Sequence, residues 1–234
     1  ALFELATTFS QDPRDGDGST GPAADVVGVL SGGQGLRLAS ANEKPLPNGW
    51  VQEEYALEGT AISYTSEDSL PADGVLALVK SESADYRTRI VVRRPGAAAD
   101  FNGSVVVEWL NVSGGVDANP DYSYLADELH RGGYAWVGGS AQYIGIEGGP
   151  VLVSTPFGEE SGAGVGLRAL DPERYGELSH PGDAFAYDIY TQVARTLRAA
   201  SDGGVLGDLV PERLIAVGES QAAFMLTTYV NGVQ

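Results

Sequence analysis

One stretch constrains the fold more than any other: RLIAVGESQAAFMLTTYV, residues 213–230. A short apolar run ends abruptly in Gly218-Glu219-Ser220-Gln221-Ala222, and a helix-like pattern resumes at once. A continuous apolar run is what a strand buried on both faces of a parallel sheet requires. A helix that follows with no loop requires a very tight turn. Two similar runs precede it. GSVVVEWLNV (103–112) leads into NPDYSYLADELHRGG, where Asn119 reads as a cap, Pro120 takes the first helical position and two glycines stop the helix. YAWVGGSAQ (134–142) is another buried strand. In PGDAFAYDIYTQVARTLRAASDGG, residues Phe185, Ile189, Val193 and Leu197 recur every four positions, one apolar stripe on a helix capped by Asp183. Strands alternating with helices in this way predict an α/β fold, a mostly parallel sheet with helices on both faces.

The first hundred residues read differently. DVVGVL (25–30), VQEEYALEGTAISYT (51–65) and YRTRIVVRRP (86–95) are β-like, separated by the loop-forming SQDPRDGDGSTGPAA (10–24) and NEKPLPNGW (42–50). Arg87, Arg89 and Val91 alternate with Thr88, Ile90 and Val92, the pattern of a half-exposed antiparallel strand. Residues 1–234 are therefore expected to form a single domain, with a mainly β region over 1–100 and a βαβ core over 101–234. The Gly-rich stretch 144–180 has no clear period; with Tyr143, Ile144, Phe157 and Tyr175 it reads as a lid or pocket loop.

A strand that turns directly into a helix gives Gly-x-Ser-x-small its chemical meaning. Small residues two positions either side of the serine, Gly218 and Ala222, relieve the crowding at such a bend. Ser220 would then stand at the carboxyl end of a central strand as a nucleophile. The Gln221 N–H, at the helix start, would face a tetrahedral oxyanion. A second donor is expected from the loop after the 103–112 strand, either Val112 or Asn111, with Ser113, Glu219, Tyr143 and His180 as further pocket candidates. The competing explanation is close packing of a helix against a strand, with no chemistry.

From about Phe101 onward the chain resembles a bacterial group of α/β-hydrolase-fold proteins. The resemblance rests on FNGSVVVEWLNVSGG, GYAWVGGSAQ, DPERYGELSHPGDAFAYDIYTQVAR and VGESQAAFMLTTYVN, and reaches back faintly to VQEEYALEGTA. It implies an α/β-hydrolase fold with Ser220 as nucleophile and hydrolysis of carboxylic esters. Members of that group more often carry a serine where this chain has Ala222.

A serine hydroxyl needs a base and a carboxylate that orients it. In this fold they follow the nucleophile in the order acid, then histidine. The fourteen residues after Ser220 contain neither, and the two histidines, His130 and His180, lie upstream. His130 reads as a helix-end cation and His180 as a loop-fixing residue. The 213–217 strand should also have further parallel strands beyond it, since otherwise its edge would be unpaired. The expectation is thus an N-terminal portion of a longer polypeptide whose remainder supplies acid and histidine.

Three other sequence features bear on function. The net charge of -18, from 14 Lys and Arg against 32 Asp and Glu, argues against nucleic acid and anionic membranes as partners. The absence of cysteine removes disulfides, thiolate metal sites and Cys nucleophiles. Asp12, Asp15 and Asp17 before Gly18 only partly match a calcium loop, so no metal and no cofactor is expected. A start at Ala1 reads as an exported protein, secreted or periplasmic, that has lost a leader, with a trimmed cytoplasmic protein as the alternative. The expected activity is a serine hydrolase acting on a small-molecule ester or lactone; a non-catalytic binding protein and an acyltransferase are the alternatives. Glu108, at the end of a buried strand beside Trp109, needs partners if it is buried; either the elbow region supplies them or the strand end is wetted.

Overall fold

The apolar runs become neighbouring strands of one sheet. The computed structural model describes residues 4–8, 21–40, 44–67, 69, 71, 74–154, 156–199 and 204–233. The sheet has seven strands: β1 (Glu4–Thr8), β2 (Asp25–Val29), β3 (Trp50–Thr65), β4 (Val79–Pro95), β5 (Ser104–Trp109), β6 (Ala135–Gly139) and β7 (Arg213–Glu219). Their order is β1-β7-β5-β6-β4-β3-β2. The three central strands β7, β5 and β6 are parallel, and the strands flanking them are antiparallel. Asp12, Asp15 and Asp17 fall outside the described residues.

Alternation along β5 sorts its side chains between two layers. Val105, Val107 and Trp109 pack with Ile189, Val193 and Leu197 of α6 (Ala186–Arg198) and with Leu226 and Tyr229 of α7 (Gln221–Gly232). Val106 and Leu110 pack on the other face with Tyr122, Ala126 and Leu129 of α1 (Pro120–Gly132). Phe185, Ile189, Val193 and Leu197 are all buried, as their spacing predicts. Each such side chain contributes about 1.5–3 kcal/mol relative to an exposed one.

Four expectations are corrected. The β7 edge is not left open: β1 runs antiparallel along it, with Glu4 opposite Glu219 and Thr8 opposite Ile215, where a further parallel strand was expected. The 88–93 part of β4 is not half-exposed, because every residue from Thr88 to Val92 is fully buried and Arg93 nearly so. Stretch 144–180 is not a structureless loop. It contains four short helices, α2 (Tyr143–Glu147), α3 (Pro156–Glu160), α4 (Leu167–Leu170) and α5 (Pro172–Tyr175). None exceeds five residues, too short to show a helical period. Asp183 does not cap α6 either. It opens a 3-10 turn, Asp183–Phe185, and its carboxylate accepts the Tyr143 N–H at 2.7 Å.

Candidate active site

Ser220 sits between the last residue of β7 and the first of α7 with φ 57° and ψ -114°, and it is the one non-glycine at positive φ among the described residues. A conformation of that kind costs about 1–3 kcal/mol and persists only where the surroundings enforce it. The surroundings are visible. A methyl group on Gly218 would lie 3.0 Å from Leu226 Cδ1 and 3.1 Å from the Ala222 Cβ, so a side chain at position 218 would force those neighbours to give at the turn. Ser220 itself is exposed, while Gly218, Glu219 and Ala222 on either side are buried. Gln221 begins α7, and the first amides of a helix have no acceptor within it. Its N–H therefore stands beside the serine at the positive end of the helix dipole.

The loop from Leu110 to Asn119 approaches this turn from β5. Asn111 N–H donates to Ala118 O at 2.9 Å, and Ala118 N–H returns the bond to Asn111 O. The Asn111 amide is thereby spent, which removes it as the expected backbone donor. The Val112 N–H has no hydrogen-bond partner among the described residues. Asn111 contributes its side chain instead: Nδ2 donates to Glu219 O at 2.9 Å, while Oδ1 accepts from Ser113 N at 2.9 Å and Ser113 Oγ at 2.6 Å. Ser113 O in turn accepts the N–H groups of Leu152 and Val153, both at 2.9 Å. Further along the loop, Gly115 O accepts from Gly164 N at 2.8 Å. A side chain at Gly115 would collide with that nitrogen at 2.7 Å.

Glu108 serves the start of α1 rather than the elbow. Fully buried, it accepts from Asp121 N at 3.1 Å, Tyr122 N at 2.9 Å and Trp136 Nε1 at 2.8 Å. It does the capping that the sequence assigned to Asn119, whose side chain makes no cap bond. Alternation along β5 explains the difference: Glu108 faces the same side as Val106, where α1 lies. Burial, reinforced by Asp121, pushes its carboxyl well above the usual range against the three N–H donors that favour its charge.

Neither histidine reaches the serine. His180 is buried; Nε2 lies 2.8 Å from Ala141 O and Nδ1 accepts from Gly182 N at 3.1 Å. These contacts assign a neutral ring protonated at Nε2, and burial lowers its pKa. Ala141 follows β6, two strands across the sheet from β7. His130 lies in the last turn of α1, bonded to the Tyr122 hydroxyl at 2.9 Å and stacked edge-on against Trp50. α1 begins at Pro120, so His130, ten residues on, is about 15 Å along its axis from the end nearest the site. Tyr143 is half-exposed, with its ring edge-on to His180. Tyr175 is buried and bonds Glu54, so it is no part of a pocket wall; the Phe157 side chain lies outside the described residues.

Sequence reasoning missed a buried ionic cluster beneath this end of the sheet. Arg89, fully buried, pairs with Glu54 at 2.9 Å and Asp117 at 2.6 Å and donates to Ser140 Oγ and Arg37 O. Arg174 and the Tyr175 hydroxyl complete the shell of Glu54. A cavity with room for about one water molecule lies behind the 111–118 loop, lined by Arg37, Asp117, Gly145 and Leu167 among others; Ser220 is not part of its wall.

A family model described as alpha/beta hydrolase domain matches residues 20–234. No curated protein matches the chain, and no solved structure does.

Proposed function

The chain belongs to the alpha/beta hydrolase domain family, and from that premise we propose that it is a serine hydrolase cleaving a carboxylic ester or lactone through an acyl-enzyme. Ser220 Oγ attacks the carbonyl carbon. The resulting oxyanion is held by the N–H groups of Gln221 and Val112, and collapse expels the alkoxide as an alcohol. Water then attacks the acyl-serine and releases the acid. Removing one donor from such a pair typically costs about 100- to 1,000-fold in kcat.

The observation that carries this reading is the exposed serine at φ 57° between a buried strand and a helix. A strained conformation at a point that aims a hydroxyl outward is maintained where the strain has a use. Both histidines of the chain are bonded elsewhere. In this reading, therefore, the base and its orienting carboxylate come from a segment beyond Gln234. The partner is a small-molecule ester. No helix among the described residues is long and apolar enough to cross a membrane.

The test uses the intact protein with a fluorophosphonate probe and a short-chain chromogenic ester. The expected result is labelling at Ser220, turnover, and loss of both in Ser220→Ala. A folded protein that neither labels nor turns over would instead be a binding protein. Turnover whose acyl product goes to an added alcohol in preference to water would make it an acyltransferase.

A further inference from the structure

We infer that the Asn111 side chain is a strut that holds the two oxyanion donors in register, a positioning residue for the reaction proposed above and dependent on that reading. The two donors come from different elements, the Val112 N–H from the loop after β5 and the Gln221 N–H from the start of α7. The ladder that joins β5 to β7 ends at Glu108 opposite Val217, short of either donor. Beyond that point the two chains are joined through Asn111. Its Nδ2 holds the carbonyl of Glu219, the peptide that enters Ser220, and its Oδ1 holds the N–H of Ser113, the peptide that leaves Val112.

One planar amide therefore bridges the peptide on each side of the oxyanion. A carboxamide presents donor and acceptor in a fixed plane, so the spacing between the elbow and the loop is set by covalent geometry plus two hydrogen bonds. The base of the strut is itself fixed, because the Asn111 main chain bonds Ala118 in both directions and the residue is only 6% exposed. No other residue type of this length offers both functions. Aspartate keeps the acceptor for Ser113 but turns an oxygen toward the Glu219 carbonyl, and leucine offers neither.

Asn111→Asp and Asn111→Ala in the intact protein test this. Both are expected to lose about 100-fold in kcat with KM changed less than about threefold, the pattern of an interaction that acts in the transition state alone. The inhibition constant of a trifluoromethyl ketone, which forms a tetrahedral adduct, should rise in proportion to the loss in kcat/KM. Ile189→Val, a buried methyl deletion on α6, serves as the control that lowers melting temperature without changing kcat. If Ser220-dependent turnover persists and the Asn111 variants keep kcat within threefold of wild type, the strut is overturned and the serine-hydrolase reading stands. If the wild-type protein shows neither label nor turnover, the reading itself fails and takes the strut with it. Hydrogen exchange at the Asn111 side-chain amide of the wild-type protein needs no folded variant: slowed exchange supports the strut, and exchange at the rate of a solvated amide overturns it.

Discussion

Gly218 and Ala222 meet across the turn that carries Ser220, with 3.1 Å between the Ala222 Cβ and the place where a Gly218 side chain would begin. Distances that short force neighbours to move, and Leu226 closes the other side at 3.0 Å. Gly218→Ala is expected to cost about 1–3 kcal/mol by overpacking and to misplace the serine. Chemical denaturation and turnover, measured on the same sample, should fall together.

Ser220 carries backbone strain that glycine would not. Ser220→Gly and Ser220→Ala should both abolish fluorophosphonate labelling. Glycine tolerates positive φ, so the glycine variant should be more stable than the alanine variant by about 1 kcal/mol. A reversed order of melting temperatures would show that the turn is not strained.

The Arg89 cluster is expected to be unforgiving. Replacing Arg89 by Met leaves Glu54 and Asp117, both nearly fully buried, short of a counter-charge. Breaking a buried pair from one side costs about 3–5 kcal/mol. Lysine should not rescue, since one ammonium cannot reproduce a guanidinium that reaches Glu54, Asp117, Ser140 and the Arg37 carbonyl together.

Glu108 predicts a pH signature. Its carboxyl is raised above the ordinary 4.5 by burial and by Asp121. A raised carboxyl favours the folded state below the ordinary value, and that contribution is lost as pH rises through the folded one. Compared with Glu108→Gln, which does not titrate, the wild-type protein should lose relative stability as pH climbs from 4.5 upward. Melting temperatures of the pair across that interval are the measurement.

His180 predicts the opposite sign. Burial depresses its pKa below 6.5, so its contribution is present above 6.5 and lost as pH falls through the folded value. His180→Gln should flatten the acid limb of the stability curve while leaving Ser220 labelling intact. Lost labelling in a folded variant would make His180 the base.

The second half of the fold was legible because burial on both faces writes itself as unbroken apolar runs, and one-sided burial as the Phe185–Leu197 stripe. The strand-to-helix bend at Ser220 was legible for a related reason, since steric crowding there dictates which residues can flank it. What escaped detection depends on pairing between distant parts of the chain. Arg89 looks like a solvent-facing residue until Glu54 and Asp117, 35 and 28 positions away, are folded against it. Glu108 is addressed to helix amides that follow it by more than ten residues. β1 is five residues, ELATT, with no apolar run to mark it. Asn111 was noticed for its main chain, whereas its side chain makes the connection to Glu219.

Backbone bonds tie the stretch around 152–164 to the loop after β5: Gly164 to Gly115, and Leu152 and Val153 to Ser113. Attachment of that sort is indifferent to what the intervening residues carry. Leu152 and Val153 are exposed, so their side chains can be exchanged while the suspension points remain where they are. Positions 152 and 153 can consequently differ in chemistry without slackening the loop after β5 from which they hang.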